Sequence, residues 1–294
     1  MYTRAIICSE IKSFRNRMKA NGKTLSVTDK GDVLGYAVYN AYRDMQPRTI
    51  KGHIMNSSKQ LRDDMAQKFV DYFKNPAPKS QADFDKFHKT TCPYFLEELN
   101  KCVPDPQKFG KAQKFVNMAF KYLYCFDDAH TYDDWFTFCH MPIDSYTLNW
   151  CFDNKLYQKA KIENWSSIDK QQYYDLSDKI RVKLGGETPL LVEFKIWPIE
   201  IAKVEEKELA KAILEYLANN YEVYCSSGSF VKSTGGELEE VVSGLEVVVN
   251  RKIKNLNQDR HLDDLVDLDK KILIEMLGTL SSSSLFGEIE KSLK

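Results

Sequence analysis

Over roughly the first 200 of the 294 residues, apolar side chains return every three or four positions, the spacing that gathers them on one side of an α-helix. This pattern predicts helices over Ile6 to Asn21 and Asp29 to Met45, with Asn21-Gly22 and Lys30-Gly31 as breaks. A third helix, capped by Ser57 or Ser58, carries Leu61, Met65, Phe69, Tyr72 and Phe73 on one face and stops at Asn75-Pro76-Ala77-Pro78. A shorter helix from Ser80 to His88 precedes one that Thr91 caps and Pro93 starts, ahead of Tyr94, Phe95, Leu96 and Leu99. Beyond the stiff Pro104 to Pro106 connection, Phe109-Gly110 opens a helix with a broad apolar face, made by Ala112, Phe115, Val116, Ala119, Phe120 and Leu123. That breadth suits the centre of a core, with Lys111, Lys114 and Lys121 expected on the flanks.

The next helix is expected from Pro142, with Asp144 in its first turn, where the helix dipole favours a carboxylate, and Leu148 and Trp150 facing inward. Trp165 precedes a serine-capped helix bearing Ile168, Tyr173, Leu176, Ile180 and Leu184, which Gly185-Gly186 ends. The segment PLLVEFKIW, starting at Pro189, reads either as a short helix that Pro198 ends or as a buried strand. Ile199 to Asn220 is amphipathic; residues near 221–232 suit a hairpin around Ser227-Gly228, and more helices run to Leu277 before the Ser281 to Ser284 spacer. The expected architecture is therefore mainly α: a helical core domain over 1–198 and a smaller C-terminal helical region, 199–294, with a minor β-hairpin.

Composition narrows the function classes. Lysine plus arginine and aspartate plus glutamate both number 42, so no global field draws the chain to nucleic acid or to an anionic membrane. A basic face has to be local, and Arg4, Lys12, Arg15, Arg17, Lys19 and Lys23 offer one, unless they are only a solvated helix face. The 7 cysteines are scattered among apolar neighbours without a CxxC pair, which suits buried thiols in a cytoplasmic protein and argues against a zinc ribbon or an iron–sulfur cluster. No apolar run is long enough for a membrane span or a signal peptide, so no membrane partner is expected. Nucleotide loops of the GxGxxG or GxxxxGK[ST] type, HExxH and GxSxG are absent from the sequence.

The segments FGKAQKFVNMAF (from Phe109) and PIDSYTL (from Pro142) resemble two motifs of the helix-hairpin-helix superfamily of base-excision DNA glycosylases. In that family a glycine-containing hairpin binds the DNA backbone through main-chain amides, the following helix carries a lysine nucleophile or a water-handling residue, and an aspartate stands at the next helix start. The resemblance covers about residues 57–198. The glycine-rich hairpin is reduced here to Gly110, and Tyr124 to Cys139 separates the two motifs. It implies DNA as partner, release of a modified base without a cofactor, Asp144 as the catalytic carboxylate, Lys111 or Lys114 as amine nucleophile, and Phe109, Gly110, Tyr146 and Trp150 as substrate-binding residues. The chemistry suits the residue types: a carboxylate stabilises cationic charge on the sugar, a desolvated lysine supplies an amine, and aromatic rings stack on a flipped base. The competing reading makes Asp144 an ordinary helix-start carboxylate and the lysines a solvated flank.

Two other constellations stand beside this one. Asp178, Glu193 and Lys195, read on two strands joined at Gly185-Gly186, resemble PD-(D/E)xK nucleases, in which two acids hold Mg2+ and a lysine helps activate water. That reading requires a strand over 190–196. Asp127, Asp128, His130, Asp133 and Asp134 hold metal-ligating groups but lack the glycine and terminal glutamate of a calcium loop, so an exposed acidic loop is the plainer account. A non-enzymatic α-helical interaction protein is the third functional reading. A buried Asp144 without a pocket or basic groove beside it would favour it.

Overall fold

The computed structural model describes residues 8–17, 25, 32–52, 58–127 and 130–201. The chain divides into compact units Met1–Ile201 and Ala202–Lys294, and the described residues belong to the first; the hairpin expected near 221–232 and the helices around it lie outside them. Helices follow in the order α1 (Cys8–Arg17), α2 (Asp32–Asp44), α3 (Lys59–Lys74), α4 (Gln81–Lys101), α5 (Phe109–Phe126), the single turn α6 (Asp133–Phe136), α7 (Ser145–Asp153), α8 (Lys170–Leu184) and α9 (residues 189–201). Short 3-10 turns at Pro47–Thr49 and Trp165–Ser167 link them. Among the described residues there is no strand, in keeping with a mainly α chain.

α5 is the axis of the fold. All 18 of its residues are buried, because α1, α2, α4, α6, α8 and the Trp165 turn pack around it. Its apolar positions meet their partners as ring contacts: Phe115 stacks on Phe95 of α4 with centroids 4.1 Å apart, and Phe120 lies edge-on to Phe69 (5.2 Å) and Tyr72 (5.1 Å) of α3. Enclosing a ring of this size stabilises by about 1.5–3 kcal/mol, so this helix anchors the elements around it. At its start, a Cβ on Gly110 would stand 2.0 Å from the Trp165 carbonyl oxygen, and the Gly110 amide donates to Ile168 O at 2.9 Å. Glycine is required there because two backbones touch.

Several local expectations change. α4 is one continuous helix, not two: Ser80 caps it by accepting from the Asp83 amide, Thr91 is interior, and Pro93 lies inside the helix. Proline in a helix costs about 3 kcal/mol, but the buried stripe Phe84, His88, Cys92, Phe95 and Leu99 runs straight past it and outweighs that cost. α7 starts at Ser145, so Asp144 is its N-cap, and residues 140–144 before it are irregular. α8 is capped by Asp169, not by a serine, and Gly185 ends it in the left-handed region (φ 61°).

PLLVEFKIW is helical and α9 continues through Pro198 to Ile201. The strand over 190–196 that the nuclease reading requires is therefore absent. Residues 189–201 bury Leu190, Val192, Phe194 and Ile196 in the core, which a helix achieves while satisfying its own amides.

Candidate functional site

The lysines expected on α5's flanks are buried, and the reason lies in their partners. Lys111 donates to Met45 O (2.9 Å), Gln46 O (3.2 Å) and Thr49 Oγ1 (2.9 Å), using its three N–H groups just beyond the end of α2, where the helix dipole favours a cation. Burial, with Lys114 nearby, pushes its pKa down to about 8. Lys121 lies 2.5 Å from Glu193 Oε2 of α9, with Phe14 and Phe194 rings 4.4 and 4.8 Å from the ammonium. Burial raises the Glu193 carboxyl, and the Lys121 charge and hydrogen bond oppose that rise. Tyr122, next along α5, donates to Asp44 Oδ2 at 2.6 Å.

Lys114 and Asp144, 30 positions apart, come together inside the protein, with Lys114 Nζ 3.6 Å from Asp144 Oδ2. The Asp144 Oδ1 atom caps α7, accepting from the Tyr146 amide (2.9 Å) and the Thr147 amide (3.1 Å), while Thr147 Oγ1 accepts from the Asp144 amide (2.8 Å). Both lysines lie over the Trp165 ring, Lys111 at 5.0 Å and Lys114 at 4.6 Å from its centroid. Asp144 and Lys114 are each only 7% exposed. Lys114 and Asp144 are thus brought together as an enclosed pair, with Lys111 beside them over the same Trp165 ring, in a closed electrostatic spine along one side of α5.

The four residues expected to bind substrate do not form a common surface around that pair. Phe109 is buried against Tyr173 and Tyr174 (centroids 5.4 and 5.6 Å) and the amide of Gly110 is occupied by Ile168 O. Tyr146 and Trp150 are half-buried, Tyr146 lying edge-on to Trp197 at 5.9 Å. The nuclease residues are also separately engaged: Asp178 pairs with Arg181, Glu193 with Lys121, and Lys195 with Glu10. In the acidic segment, the buried Asp127 carboxylate accepts from the Thr131 and Tyr132 amides at 2.9 and 2.8 Å, and His130 contacts Asp133. No group of three or more metal-ligating side chains is poised for an ion among the described residues.

Sequence reasoning passed over a second buried polar cluster, built around Gln113 and Asn117 of α5. Asn117 meets His88 Nε2 (3.1 Å) and Tyr173 Oη (2.8 Å); His140 meets Tyr173 Oη (2.9 Å) and Asp85 Oδ1 (2.9 Å); His88 Nδ1 meets Tyr174 Oη (3.0 Å). Gln113 ties the 140–144 segment to α5, its carboxamide donating to Ile143 O (2.7 Å) and accepting from the Ile143 amide (3.1 Å). A signal existed: Gln113 and Asn117 interrupt α5's apolar pattern four positions apart, and polar groups there must pair inside.

Two surface cavities lie away from the spine. One, of about 780 Å³, opens between α4, the start of α5 and residues 160–172, walled by Pro93, Leu96 and Phe109 and rimmed by charges of both signs. The other, of about 680 Å³, lies beside Asn75 to Lys79 between α3 and α4. Asp144 lines neither. No helix of the described residues is long and apolar enough to cross a membrane. No protein-family model matches the chain, and no curated protein or solved structure is significantly similar to it.

Proposed function

We propose that the chain is a non-enzymatic α-helical interaction protein, whose contact surface is the cavity between α4, the start of α5 and residues 160–172. One observation carries this reading: the carboxylate on which the glycosylase chemistry would turn, Asp144, is enclosed and occupied as a helix cap, while both described cavities lie elsewhere. The rim alternates Lys108, Lys161 and Lys170 with Glu97 and Glu163 over an apolar wall. That arrangement fits a polypeptide segment presenting side chains of both signs around one apolar anchor. The test is amide-shift mapping of the full chain with short synthetic peptides that alternate lysine and glutamate around a central leucine or phenylalanine. Saturable shifts at Leu96, Phe109 and Lys170, lost in a Lys161→Glu/Lys170→Glu variant, are expected. Unmoved amides at those positions across the peptide set would reject the surface.

The second reading is an amine-dependent DNA glycosylase or glycosylase/lyase. It is favoured by the 3.6 Å approach of Lys114 to Asp144 and by the lowered pKa of neighbouring Lys111, which together place an amine and a carboxylate in one low-dielectric site. DNA enters this reading from the motif resemblance alone. Incubating the protein with duplexes carrying modified bases, with EDTA and then borohydride, separates the two. EDTA-resistant, alkali-revealed breaks that vanish in Asp144→Asn, with a borohydride-trapped adduct on Lys114, would establish the enzyme. Intact DNA and no adduct are expected on the interaction reading.

A further inference from the structure

The cavity of about 680 Å³ stands where α3 gives way to α4, and its lining follows from how the chain turns there. The run Asn75-Pro76-Ala77-Pro78 stops α3, since a proline has no amide with which to extend a helix, and Ser80 caps the start of α4. This bend lines the cavity together with Tyr72 of α3 and Phe87 of α4, whose ring centroids lie 4.5 Å apart, and the three make an apolar wall. Lys68 of α3, Lys79 of the bend and Lys86 of α4 line the same cavity. Lys68 Nζ lies 3.9 Å from the centroid of Tyr94, and none of the three ammoniums has a carboxylate partner among the described residues. The two carboxylates of the lining are already engaged: Asp83 Oδ2 accepts from the Lys79 amide and the Ser80 hydroxyl, both at 3.0 Å, and Asp71 Oδ1 accepts from Gln67 at 2.8 Å.

Thr91 supplies a second, independent sign of a ligand. It lines this cavity and is only 3% exposed, yet its hydroxyl makes no hydrogen bond among the described residues. A helical threonine ordinarily donates to the carbonyl one turn back. For Thr91 that acceptor is Phe87 O, and Thr90 Oγ1 already donates to it at 2.8 Å while also reaching Lys86 O at 3.2 Å. The Thr91 oxygen is not sealed among protein atoms, so a partner for it has to come from the cavity.

The chemistry of the lining selects among ligands. Ammonium groups on flexible stems act as point charges and suit phosphate, whereas a carboxylate is held best by the planar fork of arginine, which the lining lacks. A phosphate monoester brings roughly two negative charges and three acceptor oxygens at neutral pH, and the three lysines and the Thr91 hydroxyl answer both. An aromatic ring carried by that phosphate packs on the tyrosine, phenylalanine and proline wall. We propose that this cavity binds a small aromatic phosphate monoester, its phosphate held by the three lysines and the Thr91 hydroxyl and its ring laid against the wall of Tyr72, Phe87 and the proline bend. The site is separate from the peptide surface between α4 and α5, so either can fail without the other.

The test titrates phenyl phosphate into the full chain, followed by amide shifts and calorimetry, with inorganic phosphate and benzyl alcohol as probes of the two halves of the ligand. Saturable shifts are expected at Tyr72, Ala77 and Thr91, and phenyl phosphate is expected to bind about tenfold or more tightly than either half. Lys79→Gln/Lys86→Gln is expected to weaken that binding about fivefold, and Thr91→Val about tenfold, the scale of one hydrogen bond to a charged group. Because Thr91→Val removes a hydroxyl without a protein partner, its melting temperature is expected to match or exceed that of wild type, which separates lost binding from lost fold. A lowered melting temperature would show that the hydroxyl pairs within the protein and would overturn the site. So would unmoved amides at those three positions, equal affinity for inorganic phosphate or benzyl alcohol alone, or undiminished binding in either variant.

Discussion

At the scale of single residues, neighbours decide the meaning of a side chain that composition leaves open. Lys111, Lys114 and Lys121 share one side of α5, yet one closes a helix end, one faces a helix cap and one pairs with a glutamate. Replacing Lys111 with Met removes the ammonium and its three hydrogen bonds and takes the Lys111 donor from Met45 O, while Gln46 O keeps the Thr49 amide and hydroxyl as donors. We expect Lys111→Met to destabilise by about 2–3 kcal/mol in urea unfolding, the scale for buried hydrogen bonds to charged groups. A change below about 0.5 kcal/mol would mean that the Met45 carbonyl finds water instead. Gly110→Ala isolates a backbone contact. Helix propensity alone would stabilise by about 1 kcal/mol, but a Cβ 2.0 Å from the Trp165 carbonyl must push two elements apart. Thermal melting is expected to show a net loss of about 3 kcal/mol or more, and a raised melting temperature would contradict the close approach.

At the scale of elements, ion pairs and rings set how helices meet. α9 is held to α5 by the Lys121–Glu193 pair as well as by Phe194, whose ring lies 6.1 Å from that of Tyr124. Removing one partner strands a charge, whereas removing both restores an apolar contact. Lys121→Met is therefore expected to cost about 3–5 kcal/mol and the Lys121→Met/Glu193→Leu double variant to recover most of it, read by urea unfolding. Additive losses in the double variant would show that the two side chains contribute independently and not as a coupled pair. Within α4, Pro93 deprives the helix of one amide donor and lines the proposed contact surface. Pro93→Ala is expected to raise stability, by up to about 3 kcal/mol, in the same assay. A loss would show that the proline ring's packing outweighs the missing hydrogen bond.

At the scale of the whole molecule, every buried residue of the described core lies within Met1–Ile201, one compact unit. A chain ending at Ile201 is expected to unfold cooperatively, with coincident far-UV circular dichroism and tryptophan-fluorescence transitions. Separate transitions by the two probes would place part of its stability in residues beyond. Charge of both signs is carried inside this unit as well as on it, and enclosed pairs such as Lys121–Glu193 act on how its helices assemble.

The helical class, the central place of α5, the face of α3 and the stop at Gly185 were legible along the chain, because helical spacing, caps and left-handed glycines act over a few residues. Lys114 and Asp144 were legible as candidates, though not as an enclosed pair. Folding alone settled the rest. α4 runs through Pro93 and residues 190–196 coil as a helix because of surfaces they bury against distant elements. Gly110 is required by a carbonyl at Trp165, and His140 finds Asp85 and Tyr173, 55 and 33 positions away. Local pattern records the preference of each segment for its own backbone shape. Which buried polar groups meet depends on where the helices cross, and only the packed structure fixes that.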